Sequence, residues 1–307
     1  MATIALTGAT GFIGRVLLKY LTDQGSRVKA LYRPGSSSLP PKAIASVEWV
    51  AGNLEDADSL RALVTNVDAI VHCAGAVRGA TLEQFKKINV EGVERLLQAA
   101  VEQGVPRFLL ISSLAAREPS LSAYALSKKL GEDTLLEYDD KISWDILRPP
   151  AVYGPGDREM EPLLKLIRRS IVPVVGSKDG RFSLLYVDDL AEAVICLLRP
   201  DRISARQCFE LHDGHPNGYT WAQIAAIAAQ LNGKPAHCFS LPRGLISIVG
   251  RINIAIASLS SYQPMLTPGK VREIFHPDWV SDNSAITRAT NWQPKVLFPD
   301  GMRRLFY

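Results

Sequence analysis

Residues 3–14 read TIALTGATGFIG, a short apolar run followed by glycines at intervals of three. Apolar residues at helical spacing come directly afterwards, so the stretch predicts a strand, a turn and a helix. Gly8 allows a tight turn, Gly11 lets the backbone approach a pyrophosphate, and Gly14 lets helix and strand pack closely. The first turn of the helix offers free N–H groups and partial positive charge to an anion. The stretch therefore predicts a dinucleotide-binding βα unit.

Strands and helices alternate through the first half of the chain. Apolar runs predict strands at Ile4–Leu6, Val28–Tyr32, Val47–Val50, Ala69–Cys73, Phe108–Ile111 and Trp144–Leu147. Helical spacing predicts helices at Phe12–Gln24, Ala57–Val64, Leu82–Gln103 and Tyr124–Glu137. Nearly continuous apolar strands separated by helices indicate an α/β fold with a doubly wound parallel sheet covered on both faces. Ligands bind such a sheet at the carboxyl ends of its strands, where the strand order reverses.

The alternation weakens after Pro149, where glycines and prolines become frequent. We predict a dinucleotide-binding domain followed by a smaller, mostly helical lobe that faces the substrate. The first comprises residues 1–150, with 183–212 rejoining it, and the second comprises residues 151–182 and 213–307. The lobe is rich in Ile, Leu, Ala and Val between Leu241 and Leu266. That stretch suits a lipid-like or sterol-like ketone or alcohol, or simply the packing of two helices.

Composition excludes several classes of protein. The 307 residues are 47% hydrophobic and 21% charged, which favours a buried core over disorder. The net charge of +4 is spread along the chain without a basic stripe, so nucleic-acid binding is not expected. The stretch Leu245–Leu259 is too short and too polar to span a bilayer. The chain begins directly with a strand, so no signal peptide is expected.

Cysteine and histidine usage indicates neither disulfides nor metal. The four cysteines form no Cys-x-x-Cys pair, and we expect reduced thiols in a cytoplasmic protein. His212 and His215 lie in a turn-like segment without a convincing third ligand, so no metal site is predicted.

The end of the second strand bears on the choice of cofactor. An NAD site usually has Asp or Glu there to bind the ribose 2′-hydroxyl. Here the strand ends Ala30-Leu31-Tyr32-Arg33 and serines follow. Arg33 and the serines at positions 36–38 would suit a 2′-phosphate. We therefore favour NADP and keep NAD as the alternative.

A series of motifs resembles one known family, the extended short-chain dehydrogenases/reductases, also called the NAD-dependent epimerase/dehydratase family. The motifs are Thr7-Gly8-x-x-Gly11-x-x-Gly14, His72-Cys73-Ala74-Gly75, Asn89-Val90-x-Gly92, Ile111-Ser112-Ser113, Tyr124-x-x-x-Lys128, Arg148-Pro149-x-x-Val152-Tyr153-Gly154 and Tyr186-Val187-Asp188-Asp189-Leu190. The resemblance implies a Rossmann domain for the cofactor and a C-terminal lobe over the substrate. It also implies a homodimer formed through the helix that carries Tyr124. It leaves the substrate open, because one fold hosts many reactions.

Tyr124, Lys128 and Ser113 form the predicted catalytic set. Tyr124 and Lys128 are four residues apart on a predicted helix and share one face. A nearby ammonium and an oxidised nicotinamide would favour the phenolate, so Tyr124 can exchange a proton with an alcohol or a carbonyl. Ser113 ends the fifth strand and would hydrogen-bond the substrate oxygen, although Ser112 competes for that position. By resemblance, Lys128 also holds the nicotinamide ribose.

The predicted cofactor contacts surround the carboxyl edge of the sheet. They are Gly8, Thr10, Gly11, Phe12, Ile13, Gly14, Arg33, Asn53, Leu54, Cys73, Ala74, Gly75, Tyr124, Lys128, Pro149 and Val152. Asn53 departs from the family pattern, in which many members have Asp against the adenine.

We expect an oxidoreductase that moves hydride between nicotinamide and a carbonyl/alcohol pair on a small, apolar substrate. Sugar dehydration is disfavoured, because Leu114-Ala115-Ala116 follows the serine in place of the family's Asp-Glu pair. The alternatives are a nucleotide-sugar epimerase with tightly bound NAD, a catalytically silent cofactor-binding subunit, and a binding module for a ligand other than nicotinamide.

Overall fold

The computed structural model describes residues 1–35, 44–177, 179–199, 201–202, 206–260 and 262–307. The strands in these residues are β1 (Thr3–Thr7), β2 (Arg27–Tyr32), β3 (Val47–Ala51), β4 (Ala69–His72), β5 (Arg107–Ile111), β6 (Ser143–Arg148), β7 (Ala151–Tyr153), β8 (Ile171–Val174), β9 (Arg181–Phe182), β10 (Leu184–Tyr186), β11 (Cys208–Glu210), β12 (His237–Ser240) and β13 (Asp278–Trp279).

The α-helices lie between and after these strands. They are α1 (Phe12–Asp23), α2 (Ala57–Val64), α3 (Leu82–Asn89), α4 (Glu91–Glu102), α5 (Ala123–Leu136), α6 (Glu161–Arg168), α7 (Val187–Leu198), α8 (Trp221–Asn232), α9 (Arg243–Ser258), α10 (Pro268–Ile274), α11 (Ser284–Thr290) and α12 (Phe298–Phe306). Two short 3₁₀ turns, Leu114–Arg117 and Pro119–Leu121, connect β5 to α5.

Seven strands form one parallel sheet in the order β11-β6-β5-β4-β1-β2-β3. The predicted doubly wound α/β fold is confirmed. The strand order reverses between β1 and β4, which pair in parallel with Thr7 opposite His72. The turn after β1 and the loop after β4 therefore border the crevice where ligands bind in such sheets.

Apolar side chains cover both faces of the sheet. Leu6 and Val71 belong to one core cluster, whereas Ala5 and Ile70, their neighbours in the chain, belong to another. This alternation reflects the two-residue period of a strand, which sends successive side chains to opposite faces. Helices α1 and α7 pack on the first face, and α2 and α4 pack on the second. A third cluster, with Tyr153 among its members, fills the C-terminal lobe.

Later segments of the chain return to the sheet and also form small pairs of their own. Strand β11 pairs with β6, with Glu210 opposite Arg148, so it extends the main sheet. Three further parallel pairs, β10 with β7, β12 with β8 and β13 with β9, add strands that sequence analysis did not assign to the lobe. The division into a dinucleotide-binding domain and a substrate lobe stays a prediction.

The single helix predicted from Leu82 to Gln103 is wrong, because the chain forms α3 and α4 with a break at Val90. The backbone of Val90 has φ −119° and ψ −67°, and this φ is far from the value of about −63° in a regular α-helix. Just before the break, the carbonyl oxygen of Asn89 faces α5, and a Cβ on Gly131 would lie 2.1 Å from it. Apolar periodicity continues through this break, which is why the sequence does not reveal it.

The apolar stretch between Leu241 and Leu266 forms α9 and the segment that follows it. Packing of two helices explains only part of it, because Leu245, Ile248 and Ile252 on α9 are each more than half exposed. In the part of the chain that the structure describes, no helix combines the length and apolarity needed to cross a bilayer.

Candidate active site

The glycine turn after β1 is packed so closely that two of its positions exclude any side chain. Gly8 has φ +72°, and a Cβ there would lie 2.7 Å from the backbone nitrogen of Ala74. A Cβ on Gly14 would lie 2.0 Å from the carbonyl oxygen of Gly8. Gly11 donates its N–H to that oxygen at 2.9 Å and caps α1 without a side chain. The turn thus offers bare backbone and a helix N-terminus to a pyrophosphate, as a dinucleotide requires.

Asn89 fixes the loop after β4. Its Oδ1 accepts a hydrogen bond from the N–H of Ala76 at 2.8 Å. Its Nδ2 donates to the carbonyl of Ala76 at 3.0 Å and to Oγ of Ser127 at 2.9 Å. Sequence analysis did not place Asn89 among the cofactor contacts, although the motif Asn89-Val90-x-Gly92 was the signal that could have indicated it. The side chain joins the loop that contains Gly75 to helix α5.

Tyr124 and Ser113 come together at the carboxyl edge of the sheet. Tyr124 is half-buried near the start of α5, and its ring lies edge-on to Phe85 with centroids 5.9 Å apart. Its hydroxyl lies close enough to the side chain of Ser113 for the serine hydroxyl to lower the pKa of the phenol. Ser112 is buried and donates to Glu132 at 2.5 Å, so it faces away from Tyr124. Of the two competing serines, Ser113 is the one that contacts the tyrosine.

Burial and nearby charges together raise the pKa of Tyr124. Burial raises it above its ordinary value, and this effect outweighs the lowering by the Ser113 hydroxyl and by the ammonium of Lys270. Glu273 raises it further. The expected stabilisation of the phenolate by Lys128 and a bound nicotinamide stays a prediction, and in the chain by itself the ammonium that lowers the pKa of the phenol is that of Lys270.

Lys128 is buried one helical turn beyond Tyr124. Its side chain donates to the carbonyl oxygen of Ile111 at 2.9 Å, and the residue is only 8% exposed. A Cβ on Gly75 would lie 3.8 Å from Nζ, so the ammonium adjoins the predicted cofactor loop. Burial lowers the pKa of Lys128 to about 8, against the opposite effects of Glu132 and Cys73. A lysine in this state exchanges its proton near physiological pH.

A second lysine reaches the same tyrosine from the C-terminal lobe. Nζ of Lys270, on α10, lies 5.6 Å from the ring centroid of Tyr124 and 2.7 Å from Oε2 of Glu273. Ser122, the N-cap of α5, hydrogen-bonds the same carboxylate. Burial lowers the pKa of Lys270, but Glu273 more than offsets this and the net shift is upward. Sequence analysis missed this pair, since nothing local to α10 indicates a neighbour on α5.

Most of the other predicted cofactor residues border the crevice. Thr10, Phe12 and Ile13 belong to the glycine turn and the start of α1, and Cys73 and Ala74 follow β4. Pro149 follows β6 and accepts a hydrogen bond from the N–H of Leu114 at 2.9 Å, and Val152 lies in β7.

Three predicted contacts follow β2 and β3, farther along the same carboxyl edge of the sheet. Arg33 is exposed just beyond the carboxyl end of β2, and the serines at positions 36–38 fall outside the described residues. Asn53 is exposed, and its Oδ1 accepts a hydrogen bond from the N–H of Glu55 at 2.7 Å. The side chain of Leu54 instead packs in the core, where a Cβ on Gly92 would lie 2.8 Å from it.

Buried histidines in and near the site have structural partners. Nδ1 of His72 lies 2.8 Å from Oγ1 of Thr7, and burial together with Lys128 lowers the pKa of His72 to about 3. The imidazole is therefore neutral. Nδ1 of His212 accepts a hydrogen bond from the N–H of Gly214 at 3.0 Å within a turn. Among the described residues, no three His, Cys, Asp or Glu side chains are grouped to hold a metal ion.

Comparison with known proteins agrees with this geometry. The profile described as "NAD dependent epimerase/dehydratase family" matches residues 4–209. Ceramide reductase of Caulobacter vibrioides is 37% identical over 281 residues, which cover 92% of this chain and 86% of that protein. 2-alkyl-3-oxoalkanoate reductase of Stenotrophomonas maltophilia is 26% identical over 330 residues, covering 98% of each.

A solved structure shows the same fold. The UDP-glucuronic acid 4-epimerase of Bacillus cereus, in complex with UDP-glucuronic acid and NAD, superposes with a TM-score of 0.75 at 18% identity and covers 98% of this chain and 97% of that one. The chain therefore belongs to the NAD-dependent epimerase/dehydratase family and is an NAD-dependent oxidoreductase of the extended short-chain type.

Proposed function

We propose that the protein reduces the carbonyl of a lipid-like ketone to a secondary alcohol, or runs the reverse reaction, with Tyr124 as the group that transfers the proton. The observation that carries this proposal is the proximity of the Ser113 and Tyr124 side chains at the edge of the sheet where the crevice opens. Two hydroxyl groups that meet there can both reach one substrate oxygen. This is the arrangement needed to polarise a carbonyl and protonate it.

The nicotinamide cofactor, when bound, supplies the hydride that adds to the carbonyl carbon and is itself oxidised. The residues of the chain manage the oxygen. Because the pKa of Tyr124 is raised, its phenol is protonated near neutral pH and can donate the proton that the new alkoxide requires. Ser113 donates a hydrogen bond to the same oxygen as negative charge develops on it.

Lys128 supports this reaction from behind the cofactor loop. At neutral pH its ammonium is mostly charged, and its position beside Gly75 suits a hydrogen bond to the ribose of a bound dinucleotide. The glycine turn and the helix N-terminus would hold the pyrophosphate.

The proposed substrate class comes from the named relatives. Ceramide reductase and 2-alkyl-3-oxoalkanoate reductase take their names from molecules with alkyl chains. By analogy, we propose that the substrate of this chain is a ketone or an alcohol on a long-chain lipid. Nucleotide-sugar epimerisation remains the competing function and is separated by the experiment below.

Three finer expectations remain part of the proposal. NADP is favoured over NAD, because Arg33 lies exposed at the end of β2 where an NAD site usually has a carboxylate. A homodimer through α5 follows from the family resemblance. A cytoplasmic location agrees with the four cysteines, all within the described residues and none in a disulfide.

Oxidation of NADPH and of NADH by a panel of carbonyl compounds tests the function. The panel contains a ceramide oxidised to its ketone and a 2-alkyl-3-oxoalkanoate, and epimerisation of UDP-glucose is followed separately through its product. We expect turnover of a lipid ketone, faster with NADPH, and a loss of about 10²- to 10⁴-fold in kcat/KM for Tyr124→Phe. Tyr138→Phe, beyond the end of the same helix, is the matched control and should leave the rate unchanged.

Two results would contradict the proposal. Epimerisation of UDP-glucose without net change in the cofactor would indicate the nucleotide-sugar reaction. Tight binding of NADPH without any carbonyl turnover that depends on Tyr124 would indicate a silent subunit.

A further inference from the structure

Helix α9 presents an apolar face to solvent. Its outward positions recur at intervals of three and four, the spacing that places side chains on one side of a helix. The exposed fractions are 54% for Leu245, 56% for Ile248, 41% for Val249, 52% for Ile252 and 48% for Ile256, and Leu259 just beyond the helix is 89% exposed. A contiguous face of this kind marks an interaction surface rather than scattered exposed residues.

The stretch of sequence around this face contains cations and no acid. From Gly214 to Thr267 the sequence contains three cations, Lys234, Arg243 and Arg251, and no Asp or Glu. Two of the cations, Arg243 and Arg251, lie on α9 itself and are exposed. A face that combines large aliphatic side chains with arginines and has no nearby acid along the chain complements a surface that is both apolar and anionic.

The other side of the same helix packs on an element of the candidate active site. Nδ2 of Asn253 donates to the carbonyl of Leu266 at 2.9 Å, and a Cβ on Gly250 would lie 3.1 Å from the backbone of Thr267, so α9 packs on the start of α10. Helix α10 carries Lys270, which contacts the ring of Tyr124. The carbonyl of Pro264 accepts a hydrogen bond from the N–H of Gly79 at 3.1 Å, which joins this segment to the loop after β4.

We propose that α9 lies in the plane of an anionic phospholipid bilayer, with Leu245, Ile248, Ile252 and Ile256 inserted among the acyl chains. The helix has 16 residues and would rest in the interface rather than cross it. A second copy of the chain fits the face less well. A two-fold interface would bring Arg243 and Arg251 of both copies together without acids from this stretch to pair them.

Docking in this way would bring the mouth of the active site to the membrane surface. A ketone lipid could then enter the crevice along α10 without passing through water. This step rests on the proposed function, whereas the binding of α9 to a bilayer does not.

Flotation with vesicles tests the binding without any substrate. The full chain is mixed with vesicles of phosphatidylglycerol and phosphatidylcholine in equal parts, and with vesicles of phosphatidylcholine alone. We expect strong binding to the first and weak binding to the second. The fraction bound to anionic vesicles should fall at least tenfold in the double variant Ile248→Asp/Ile252→Asp. The control Leu136→Asp, at an exposed leucine on α5, should bind as well as the unaltered chain.

A second variant separates the two components of the surface and guards against misfolding. Arg243→Gln/Arg251→Gln keeps the apolar face and should lower the partition onto anionic vesicles by roughly 30-fold, at about 1 kcal/mol for each cation. Its partition onto neutral vesicles should not change. Equal loss on both kinds of vesicle would overturn the electrostatic part of the proposal.

Turnover then distinguishes this inference from the proposed function. The Ile248→Asp/Ile252→Asp variant should reduce a short-chain ketone in solution as fast as the unaltered chain and a ketone lipid embedded in vesicles more slowly. Failure of all turnover with intact vesicle binding would count against the proposed function alone. Failure of the unaltered chain to bind either kind of vesicle would overturn the inference. A dimer in solution that Ile252→Asp dissociates would then show that a second copy covers the face.

Discussion

Two lysines lie near Tyr124, and each has a glutamate close by on its own helix. Their pKa values nevertheless shift in opposite directions. Lys128 is on α5 with Glu132 one turn further along, and Lys270 is on α10 with Glu273 one turn further along. The pKa of Lys128 is lowered to about 8, mainly by burial. Burial also lowers that of Lys270, but Glu273 reverses the sign and the pKa is raised.

The difference lies in what each carboxylate binds. Arg148 donates to Glu132 through Nε at 2.9 Å and Nη2 at 2.5 Å, and Ser112 donates to it as well. Glu132 therefore has its own cation, and Lys128 instead donates to a backbone carbonyl.

Glu273 has no comparable arginine among the contacts that the structure describes. It hydrogen-bonds Ser122 and pairs directly with Lys270 at 2.7 Å. The comparison teaches that an Arg on the carboxylate leaves the pKa of one lysine lowered by burial, whereas direct pairing raises the pKa of the other.

Removal of Arg148 should have the largest effect. Arg148→Met leaves Glu132, which is 2% exposed, without its bidentate partner, and we expect a loss of about 3–5 kcal/mol in the free energy of unfolding. The pKa of Lys128 should rise, since Glu132 then acts on the lysine alone. Urea denaturation measures the first effect, and NMR titration of the lysine measures the second.

Arg202→Met is the matched control for this variant. Arg202 forms a similarly buried pair with Asp145 at 2.6 Å, elsewhere on β6. It should destabilise the fold comparably while the pKa of Lys128 stays where it is. An unchanged lysine pKa in both variants would show that Arg148 does not set it.

Replacement of Lys128 should come next. Lys128→Met should lower kcat/KM for ketone reduction about 100-fold, because the ammonium beside the cofactor loop is lost. In the unaltered chain, reduction should weaken as pH rises through about 8, since Lys128 is charged below its pKa and neutral above it, while Tyr124, with its raised pKa, keeps its proton.

The pH profile supplies the control for Lys128. Lys129→Met, at the neighbouring lysine that pairs with Asp133 on the same helix, should retain both the rate and the decline above pH 8. The Lys128→Met profile should be flat in that range. A decline that persists without Lys128 would assign the titration to another group.

Changes at Lys270 and its partner Glu273 on α10 should have the smallest effect on the rate. Lys270 lowers the pKa of Tyr124 and Glu273 raises it, so Lys270→Met should raise that pKa and Glu273→Gln should lower it. Alcohol oxidation, which needs the phenolate, should slow about threefold at neutral pH in Lys270→Met, as expected for the loss of one cation–π contact. The pH at which oxidation reaches half its maximum reports the shift, and identical midpoints in the two variants would contradict it.

Much of the sheet edge could be predicted from sequence because its signals are local. Glycine spacing identifies the turn, strand endings place Ser113 beside the crevice, and a separation of four residues puts Tyr124 and Lys128 on one helix face. The choice between the serines could not be made, since it depends on Ser112 finding Glu132 across the packed interior.

The lobe could be predicted less well because its important contacts join distant segments. Lys270 meets Tyr124 only through the packing of α10 on α5, and no spacing in the sequence encodes that. The sequence could not show whether the apolar face of α9 is exposed or packed against another element. Periodicity identifies an apolar side of a helix but not what surrounds it.

Asn89 has a wider consequence for how the enzyme adapts to its ligands. One amide side chain ties the segment that would hold the cofactor to the helix that would deliver the proton, and Gly131 lets the backbones touch beneath it. We therefore expect those two parts to move together. We expect accommodation of substrates of different length to come from the opposite wall, which the predicted lobe would form.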